Sequence, residues 1–324
     1  MHRPSAFPFL LAGLVLLWGG CRQTEQREFE PLSEQERQAQ REPLTEPGDY
    51  SRIEDRATLF LTLDRNLKTW NDSIASKTAE NRKLTENLHA IITRSVYWNF
   101  DVVLDELKNG TDDYTRIIAA GALGFSKTLP TPERPDRSAE AIEVLLSVLD
   151  RGNDAITNNA VLSLGQIGSP TTPKEPIVEL MLRHHDPEVR ANATRAFGRL
   201  ATPDDAEAWL HSVIAALDDP EPKVRLHATA ALGKLKHPDA ASSLVRKLSD
   251  DRPLVRAGAL RALGELGDAR YAVHILPQLT SPVALVRDQA HRSLCQLAGK
   301  DLGLTRQDWE TWCLDHAQGP SLPQ

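Results

Sequence analysis

The sequence lacks the short motifs by which many enzymes are recognised. Its 324 residues contain no G-x-S-x-G, no P-loop, no G-x-G-x-x-G and no H-E-x-x-H. There are only three cysteines, and no cysteine–histidine pair has the spacing of a zinc motif. His184 and His185 precede Asp186, but they stand at a predicted helix end and are interpreted as turn residues. We therefore expect no catalytic residue, no metal site and no cofactor.

The sequence also lacks a basic excess. It has 38 lysines and arginines against 45 aspartates and glutamates, with a formal net charge of −7. Because proteins that bind nucleic acids in general carry a surplus of positive charge, we expect no nucleic-acid partner. The composition, with 40% hydrophobic and 26% charged residues, suits a soluble folded domain with appendages.

The apolar run at residues 7–18 is too short to span a bilayer as a mature helix. It follows His2 and Arg3 and ends in L-W-G-G-C, which indicates an export signal. This ending resembles the bacterial lipobox, although Trp18 departs from the usual aliphatic residue. The resemblance implies that 1–21 is a lipoprotein signal peptide and that Cys21 is lipidated. The alternative is an ordinary cleaved signal with an incidental cysteine.

An acylated Cys21 would anchor the protein firmly, because each buried CH₂ contributes about 0.8 kcal/mol. We therefore expect a lipid membrane as one partner, with the protein on the extracytoplasmic (periplasmic) side of the cell envelope. Residues 22–50 are rich in Glu, Gln and Arg and contain three prolines. Such a segment buries too little apolar surface to offset its ordering entropy, so it is predicted to be a disordered tether.

One pattern recurs through the rest of the chain. It is clearest at 186–200, D-P-E-V-R-A-N-A-T-R-A-F-G-R-L, and returns at 219–235, 251–266 and 281–297. Weaker copies lie at 152–167 and 112–125. The glycine position of successive copies is held by Gly124, Gly165, Gly198, Gly233, Gly264 and Cys295. Consecutive positions are 31 to 41 residues apart, which predicts a stacked repeat array.

Each copy places its apolar residues on one helical face. In the copy at 186–200 these are Val189, Ala193, Ala196, Phe197 and Leu200. Aspartate and proline just before the Val-Arg pair supply a helix start. A second amphipathic segment lies between copies, so each unit is predicted to be two antiparallel helices. One pair cannot bury its own apolar face, and neighbouring pairs must therefore stack.

The pattern D-x-x-V-R-x-x-A-x-x-A-L-G-x-L resembles the HEAT family, specifically the short HEAT-like repeats of phycobilisome-lyase-type proteins. The resemblance covers about 110–300. It implies an all-α fold, a right-handed α-α superhelix (HEAT-like solenoid) with helical N- and C-terminal caps. The family is mostly scaffolding but includes bilin lyases and a di-iron hydroxylase. The hydroxylase carries His-Glu pairs as metal ligands, and none of the ten histidines here is followed by glutamate.

The remaining segments are assigned around the array, which is placed at 110–298. Residues 51–109 are predicted to form an N-terminal helical cap and the first repeat helix (96–107), with a short coiled coil as the alternative. The cap's apolar stripes are Leu63, Leu67, Trp70, Ile74 and Leu84, Leu88, Ile91. Three prolines make 126–138 a surface loop. Residues 299–316 are predicted to be a C-terminal cap closed by Trp309 and Trp312, or alternatively an exposed aromatic docking site; 317–324 is a tail.

Two sets of side chains recur once per repeat. The arginines Arg116, Arg190, Arg225, Arg256 and Arg287 form a predicted structural ladder, because in HEAT-like arrays the matching residues join adjacent repeats through aspartates. The alternative is a ladder that binds an extended acidic partner.

The second set is predicted to line the concave surface, with five positive charges and one negative. Its candidate partner-binding residues are Asn192, Arg195, Arg199, His227, Lys234, Arg261, Glu265, Gln289 and Arg292. A groove of one sign attracts segments of opposite charge. The alternative is a solvated polar face without a ligand.

Cys295 and Cys313 are predicted either to form a disulfide that fastens the C-terminal cap or to remain two buried free thiols. The sequence as a whole predicts a membrane-anchored, non-catalytic scaffold that binds another protein through an acidic or polar segment. Two alternatives stay open. One is a lyase or accessory enzyme acting on a bound prosthetic group, and the other is a passive spacer between envelope layers.

Overall fold

The computed structural model describes residues 55–75, 78–127, 136–150 and 153–316. The predicted signal peptide, Cys21, the tether 22–50 and the tail 317–324 lie outside the described residues. All regular secondary structure in the described ranges is helical, which confirms the predicted all-α repeat fold. None of these helices is long and apolar enough to cross a membrane.

The chain divides into two compact units, and the first extends to Asp136. Its described helices are α1 (Arg56–Ala75), α2 (Ala79–Trp98), α3 (Phe100–Asn109) and α4 (Asp113–Ala122), followed by a 3₁₀ turn at Leu123–Phe125. Helix α1 buries Leu59, Phe60 and Leu63, and it packs against α2.

Two expectations for this first unit are wrong. Helix α2 buries Leu88, Ile92 and Val96, while Ile91 is exposed. The predicted single helix over 96–107 is two helices, since α2 ends at Trp98 and α3 begins at Phe100. The side-chain amide of Asn99 donates to the Ser95 carbonyl oxygen at 2.9 Å. The same carbonyl oxygen accepts the Asn99 backbone N–H at 3.2 Å, so Asn99 closes the last turn of α2 through two bonds.

The second unit begins at Arg137. Its helices are α5 (Ser138–Ser147), α6 (Asp154–Ile167), α7 (Glu175–Arg183), α8 (Pro187–Leu200), α9 (Ala206–Ala216), α10 (Pro222–Leu235), α11 (Ala240–Arg246), α12 (Pro253–Leu266), α13 (Ala272–Ile275), α14 (Ala284–Ala298) and α15 (Arg306–His316). Single 3₁₀ turns lie at Pro203–Asp205, Lys247–Ser249, Ala269–Tyr271 and Leu276–Thr280.

Helices α6, α8, α10, α12 and α14 carry the recurring pattern, and each packs on the next to form one layer. Three of them begin at a proline, namely α8, α10 and α12. In α8 the Asp186 carboxylate accepts the Glu188 backbone N–H at 2.8 Å, which caps the helix as its sequence predicts. In α10 the capping side chain is Glu221 rather than Asp219.

Small residues let the helices of this layer approach one another closely. A Cβ atom built on Gly165 would lie 2.9 Å from the Cα of Ala196 in α8, which leaves no room for a side chain. The same contact recurs from Gly198 to Ala231, from Gly233 to Ala262 and from Gly264 to Ser293. The glycine position of each repeat therefore faces the next repeat, and this is why it must be small.

Two arginines of the predicted ladder form charged rungs between repeats. Arg190 donates from Nε and Nη2 to the two oxygens of Asp219, at 2.8 and 3.1 Å. Arg225 donates in the same bidentate way to Asp250, at 2.8 and 2.9 Å, and also contacts Asp251. The hydrogen bonds that Arg190 donates to Asp219 raise the pKa of Arg190, although burial opposes the shift.

Asp219 and Asp250 each serve two repeats. Besides accepting from the arginine of the preceding repeat, Asp219 accepts the Glu221 backbone N–H and Asp250 accepts the Arg252 backbone N–H. Burial pushes the pKa of Asp250 upward, but its hydrogen bonds from Arg225 and Arg252 outweigh burial and hold the pKa below the usual value. Each carboxylate thus links the first turn of a recurring helix to the preceding repeat.

The other ladder arginines bond differently. Arg256 donates to the backbone oxygens of Asp250 and Asp251, and Arg287 donates to the backbone oxygen of Ser281. Arg116, in the first unit, pairs with Asp113 on its own helix. The rungs that join repeats through carboxylates in the described part of the chain are therefore those of Arg190 and Arg225.

Helix α15 packs against α13 and its flanking 3₁₀ turns, at the end of the second unit. Trp309 and Cys313 are completely buried there, and Trp312 is half-buried with its ring edge-on to Trp309. The indole N–H of Trp309 donates to the Gly303 carbonyl oxygen at 2.7 Å. With one tryptophan fully enclosed, the geometry is that of a helix closing an apolar end.

The close approach of the helices can be tested with a matched pair of glycine substitutions. Gly165→Ala should lower the free energy of unfolding by about 1 kcal/mol or more, because the new methyl group overlaps Ala196. Gly198→Ala should leave it unchanged or raise it by up to about 1 kcal/mol, since a Cβ there lies 3.5 Å from Ala231 and alanine favours the helix. Urea denaturation measures both values, and equal effects of the two substitutions would contradict the packing argument.

Candidate functional site

The predicted partner-binding residues lie in order along the layer of recurring helices. We call the cationic members of this set, together with Glu265, the basic stripe. They are Arg195 and Arg199 on α8, His227 and Lys234 on α10, Arg261 and Glu265 on α12, and Arg292 on α14. Arg199, Lys234, Arg261 and Arg292 are exposed, while Arg195, His227 and Glu265 are partly exposed.

Two polar residues predicted for this surface are engaged in helix contacts instead. Asn192 is buried, and its side-chain amide donates to Asn158 of the preceding recurring helix at 2.8 Å. The amide of Gln289 donates to the Ser293 hydroxyl, within its own helix, at 3.3 Å. Asn192 therefore joins two repeats, and we remove it from the set of binding candidates.

Arg195 and Arg199 form the centre of the basic stripe. Neither has a carboxylate within ion-pair distance among the described residues. Burial lowers the pKa of Arg195 to about 10, and the nearby charge of Arg199 adds to the effect. Burial also lowers the pKa of Arg199. Both side chains remain charged at neutral pH, so the fold holds two adjacent positive charges without compensating them.

His227 lies among these cations. Burial, together with the charges of Arg195, Lys223, Arg199 and Arg261, lowers the pKa of His227 to about 4, and burial is the largest cause. These side chains come from three successive recurring helices, which shows that the stack gathers charge from neighbouring repeats. Lys223 was not among the sequence candidates, because it stands at the start of α10, one turn before His227.

The single acidic member of the basic stripe is only loosely paired. Arg261 Nε lies 3.7 Å from Glu265 Oε1, and both side chains are partly solvated. Such exposed helical pairs contribute about 0.3–0.5 kcal/mol. Glu265 thus offsets little of the positive charge around His227.

A separate group joins two histidines to an aspartate. His185 Nε2 lies 2.9 Å from one oxygen of Asp154, and His184 Nε2 lies 3.7 Å from the other. His184 Nδ1 accepts the Asp186 backbone N–H, and the two imidazole rings stack at 4.6 Å. The His185–Asp154 contact is within hydrogen-bond distance, whereas the His184–Asp154 contact is longer than a hydrogen bond.

The two thiols of the second unit are free in the structure. Cys313 lies on α15 with its side chain buried, and burial raises its pKa to about 11. Cys295 lies 3.5 Å from His291 Nε2, which in turn lies 3.0 Å from Asp301 Oδ1. The donor atoms of these three residues lie within 4.8 Å of one another.

The sequence did not predict this group of three residues, because His291 and Cys295, four residues apart, do not have a zinc-finger spacing. The available signal was H-x-x-x-C, which puts both side chains on one helical face. Asp301 could not have been added, because its place depends on the turn after α14.

A comparison with protein-family models finds the family described as HEAT repeats. It matches residues 142–212, 174–246 and 210–295 in overlapping segments. These segments contain the copies at 186–200, 219–235 and 251–266, nearly all of the copy at 281–297, and every member of the basic stripe. A comparison with curated proteins finds no match.

A comparison with solved structures finds matches at low identity. YibA of Escherichia coli is 18% identical, with a TM-score of 0.49, over 82% of this chain and 98% of that protein. A designed armadillo repeat protein is 21% identical, with a TM-score of 0.46, over 60% of this chain and 98% of that one. Human deoxyhypusine hydroxylase is 16% identical, with a TM-score of 0.34, over 75% and 98% respectively.

The electrostatics of the basic stripe can be tested through the titration of His227. Arg195→Gln removes one of the charges that oppose protonation, so the pKa of His227 should rise above about 4. It should stay below the usual 6.5, because burial is the larger cause and is unchanged. The imidazole carbon-bound proton resonances, followed by NMR against pH, report this value. Arg183→Gln, on the exposed side of α7, should leave it unaltered; an unaltered value in Arg195→Gln would show that Arg195 does not act on His227.

Proposed function

We propose that this protein, which carries HEAT repeats over residues 142–295, is a non-catalytic scaffold that binds an acidic or polar protein segment along its basic stripe. The observation that carries the proposal is the group of uncompensated cations around His227. Among the described residues, Arg195 and Arg199 have no carboxylate partner, yet the chain as a whole has a net charge of −7. Positive charge is thus concentrated at one surface of an acidic protein.

The arrangement suits a segment that crosses several repeats. The cations project from α8, α10, α12 and α14, which are successive helices of one layer. A carboxylate placed between Arg195, Arg199 and Arg261 would receive charge-assisted hydrogen bonds, and these contribute about 1.5–3 kcal/mol each. It would also relieve the repulsion between the arginines. Binding should weaken as salt increases, since exposed charges are screened.

The proposal can be tested by reversing charge on the stripe. The variant Arg195→Glu, Arg199→Glu, Arg261→Glu should bind a fluorescent oligoglutamate peptide at least tenfold more weakly, which corresponds to about 1.4 kcal/mol or more. Fluorescence anisotropy at low and moderate salt measures the change. Crosslinking in native membranes, followed by co-purification, then shows whether the same substitutions release a natural protein partner.

A matched control is available on other surfaces of the second unit. Arg183, Arg252 and Arg306 are exposed and make only long ion pairs of 3.5 to 3.8 Å. Reversing these three charges changes the net charge by the same amount outside the basic stripe. If the control variant and the stripe variant lost the same affinity for the peptide, the effect would be due to net charge and not to the basic stripe. Unchanged binding of both peptide and partner would leave the stripe a solvated face, as expected of a passive spacer.

We further propose that the scaffold is held on the extracytoplasmic side of a membrane through an acylated Cys21. The support is the sequence of residues 1–21, where a short apolar segment precedes L-W-G-G-C. The polar segment 22–50 would then separate the folded units from the lipid surface.

Anchoring can be tested by removing the acylated side chain. Cys21→Ala should move the protein from the membrane fraction to the soluble fraction or leave it unprocessed, and it should abolish incorporation of labelled palmitate. Cys313→Ala, which changes a buried thiol in α15, is the matched control and should keep the label. Labelling that persists in Cys21→Ala would rule out the lipid anchor at this position.

A further inference from the structure

We propose that His291, Cys295 and Asp301 bind a single divalent transition-metal ion, with Zn²⁺ the ion that best fits the ligands. This site is independent of the basic stripe. His291 and Cys295 stand four residues apart on α14, and Asp301 follows that helix. Their donor atoms His291 Nε2, Cys295 Sγ and Asp301 Oδ1 converge on one point.

In the three preceding repeats, the positions of the two helical ligands serve a different purpose. The residues equivalent to His291 are Thr194, Thr229 and Leu260, all fully buried. The residues equivalent to Cys295 are Gly198, Gly233 and Gly264, each of which faces a small residue of the next recurring helix. Helix α14 is the last of its layer, so these positions are released from helix packing. The chain fills them with imidazole and thiol rather than with apolar side chains.

Two of the three donor–donor distances are close to those around a tetrahedral ion. Zn–N and Zn–O bonds of about 2.0–2.2 Å and Zn–S bonds of about 2.3 Å give tetrahedral edges of about 3.5 Å for N···S and about 3.3 Å for N···O. The corresponding separations here are 3.5 Å between His291 Nε2 and Cys295 Sγ, and 3.0 Å between His291 Nε2 and Asp301 Oδ1. Cys295 Sγ and Asp301 Oδ1 lie within 4.8 Å of each other, so all three donors can reach one ion after small side-chain movements.

The third ligand is held in place by its own loop. Gly299 ends α14 with a positive φ of 69°, which turns the chain back toward the helix. The Gly303 backbone N–H donates to Asp301 Oδ1 at 2.9 Å, and Trp309 fixes Gly303 through its carbonyl oxygen. The Trp309 ring also stands edge-on to His291, with centroids 6.1 Å apart. The helix, the loop and the cap together fix the three ligands before an ion arrives.

The donor set selects the class of metal. One thiolate and one imidazole favour Zn²⁺ and related ions over Mg²⁺ and Ca²⁺, which prefer oxygen ligands alone. The ion replaces the thiol proton of Cys295, which is released to solvent, and His291 binds as the neutral ring through Nε2. Three protein ligands leave a fourth tetrahedral position for water.

The test is a titration of the full-length protein in detergent with Co²⁺ alone and with Zn²⁺ alone. Co²⁺ should bind one per chain and give a thiolate-to-cobalt charge-transfer band, which Zn²⁺ should abolish by displacement. Cys295→Ser should lose this band even though Cys21 and Cys313 remain. His291→Gln and Asp301→Asn should each weaken metal binding at least tenfold. Zn²⁺ should raise the Tm of the wild type but not of Cys295→Ser.

The matched control is His185→Gln in the Asp154–His184–His185 group, which should leave binding and the band unchanged. Circular dichroism of each variant establishes that it is folded. Absence of the band in the wild type, or equal affinity in the wild type, Cys295→Ser and His291→Gln, would overturn the proposal. Loss of binding in His185→Gln with retention in His291→Gln would overturn it too, because the ion would then belong to the other group.

Discussion

The close approach of the recurring helices is the constraint on which the second unit depends. Glycine on one helix meets alanine or serine on the next at four successive contacts, from Gly165–Ala196 to Gly264–Ser293. Helices packed through such small residues lie near the short end of the usual interaxial range of about 8–10 Å. At this spacing an arginine reaches the aspartate of the following repeat, and the Ser293 hydroxyl reaches the Leu260 carbonyl oxygen at 2.8 Å. The same close packing brings arginines of both neighbouring helices near His227, and their charges lower its pKa.

The arginines of the second unit fall into two groups, which differ in whether they bond to a carboxylate. Arg190 and Arg225 are shielded from solvent and fully bonded, and they act as structural links. Arg195 and Arg199 lie on the same helical layer but have no acidic partner in the described part of the chain, and burial lowers the pKa of each. Adjacent like charges with reduced hydration cost free energy in the isolated protein. The acidic ligand proposed above would reduce this cost on binding.

Periodicity predicted much of this fold, since it depends on which residues share a helical face. The phase of the recurring glycine predicted helices α8, α10, α12 and α14, and the Asp186 cap followed from local chemistry. Periodicity did not predict what depends on distances between helices. The pattern placed Asn192 on the surface, whereas in the structure its side chain bonds to Asn158 of the neighbouring helix. Asp301 stood outside every pattern, because its position follows from the Gly299 turn and the seating of Trp309.

The charged rungs end before the array does. Asp219 and Asp250 receive arginines from the repeats before them, but the equivalent position of the last repeat is Ser281, which has no carboxylate. The junction of α12 with α14 therefore depends on side-chain packing and on the hydrogen bond from the Ser293 hydroxyl to the Leu260 carbonyl oxygen. The proposed ion lies just beyond this junction and ties α14 to the closing segment. The ion would stabilise the end of the array, where the arginine–aspartate links are absent.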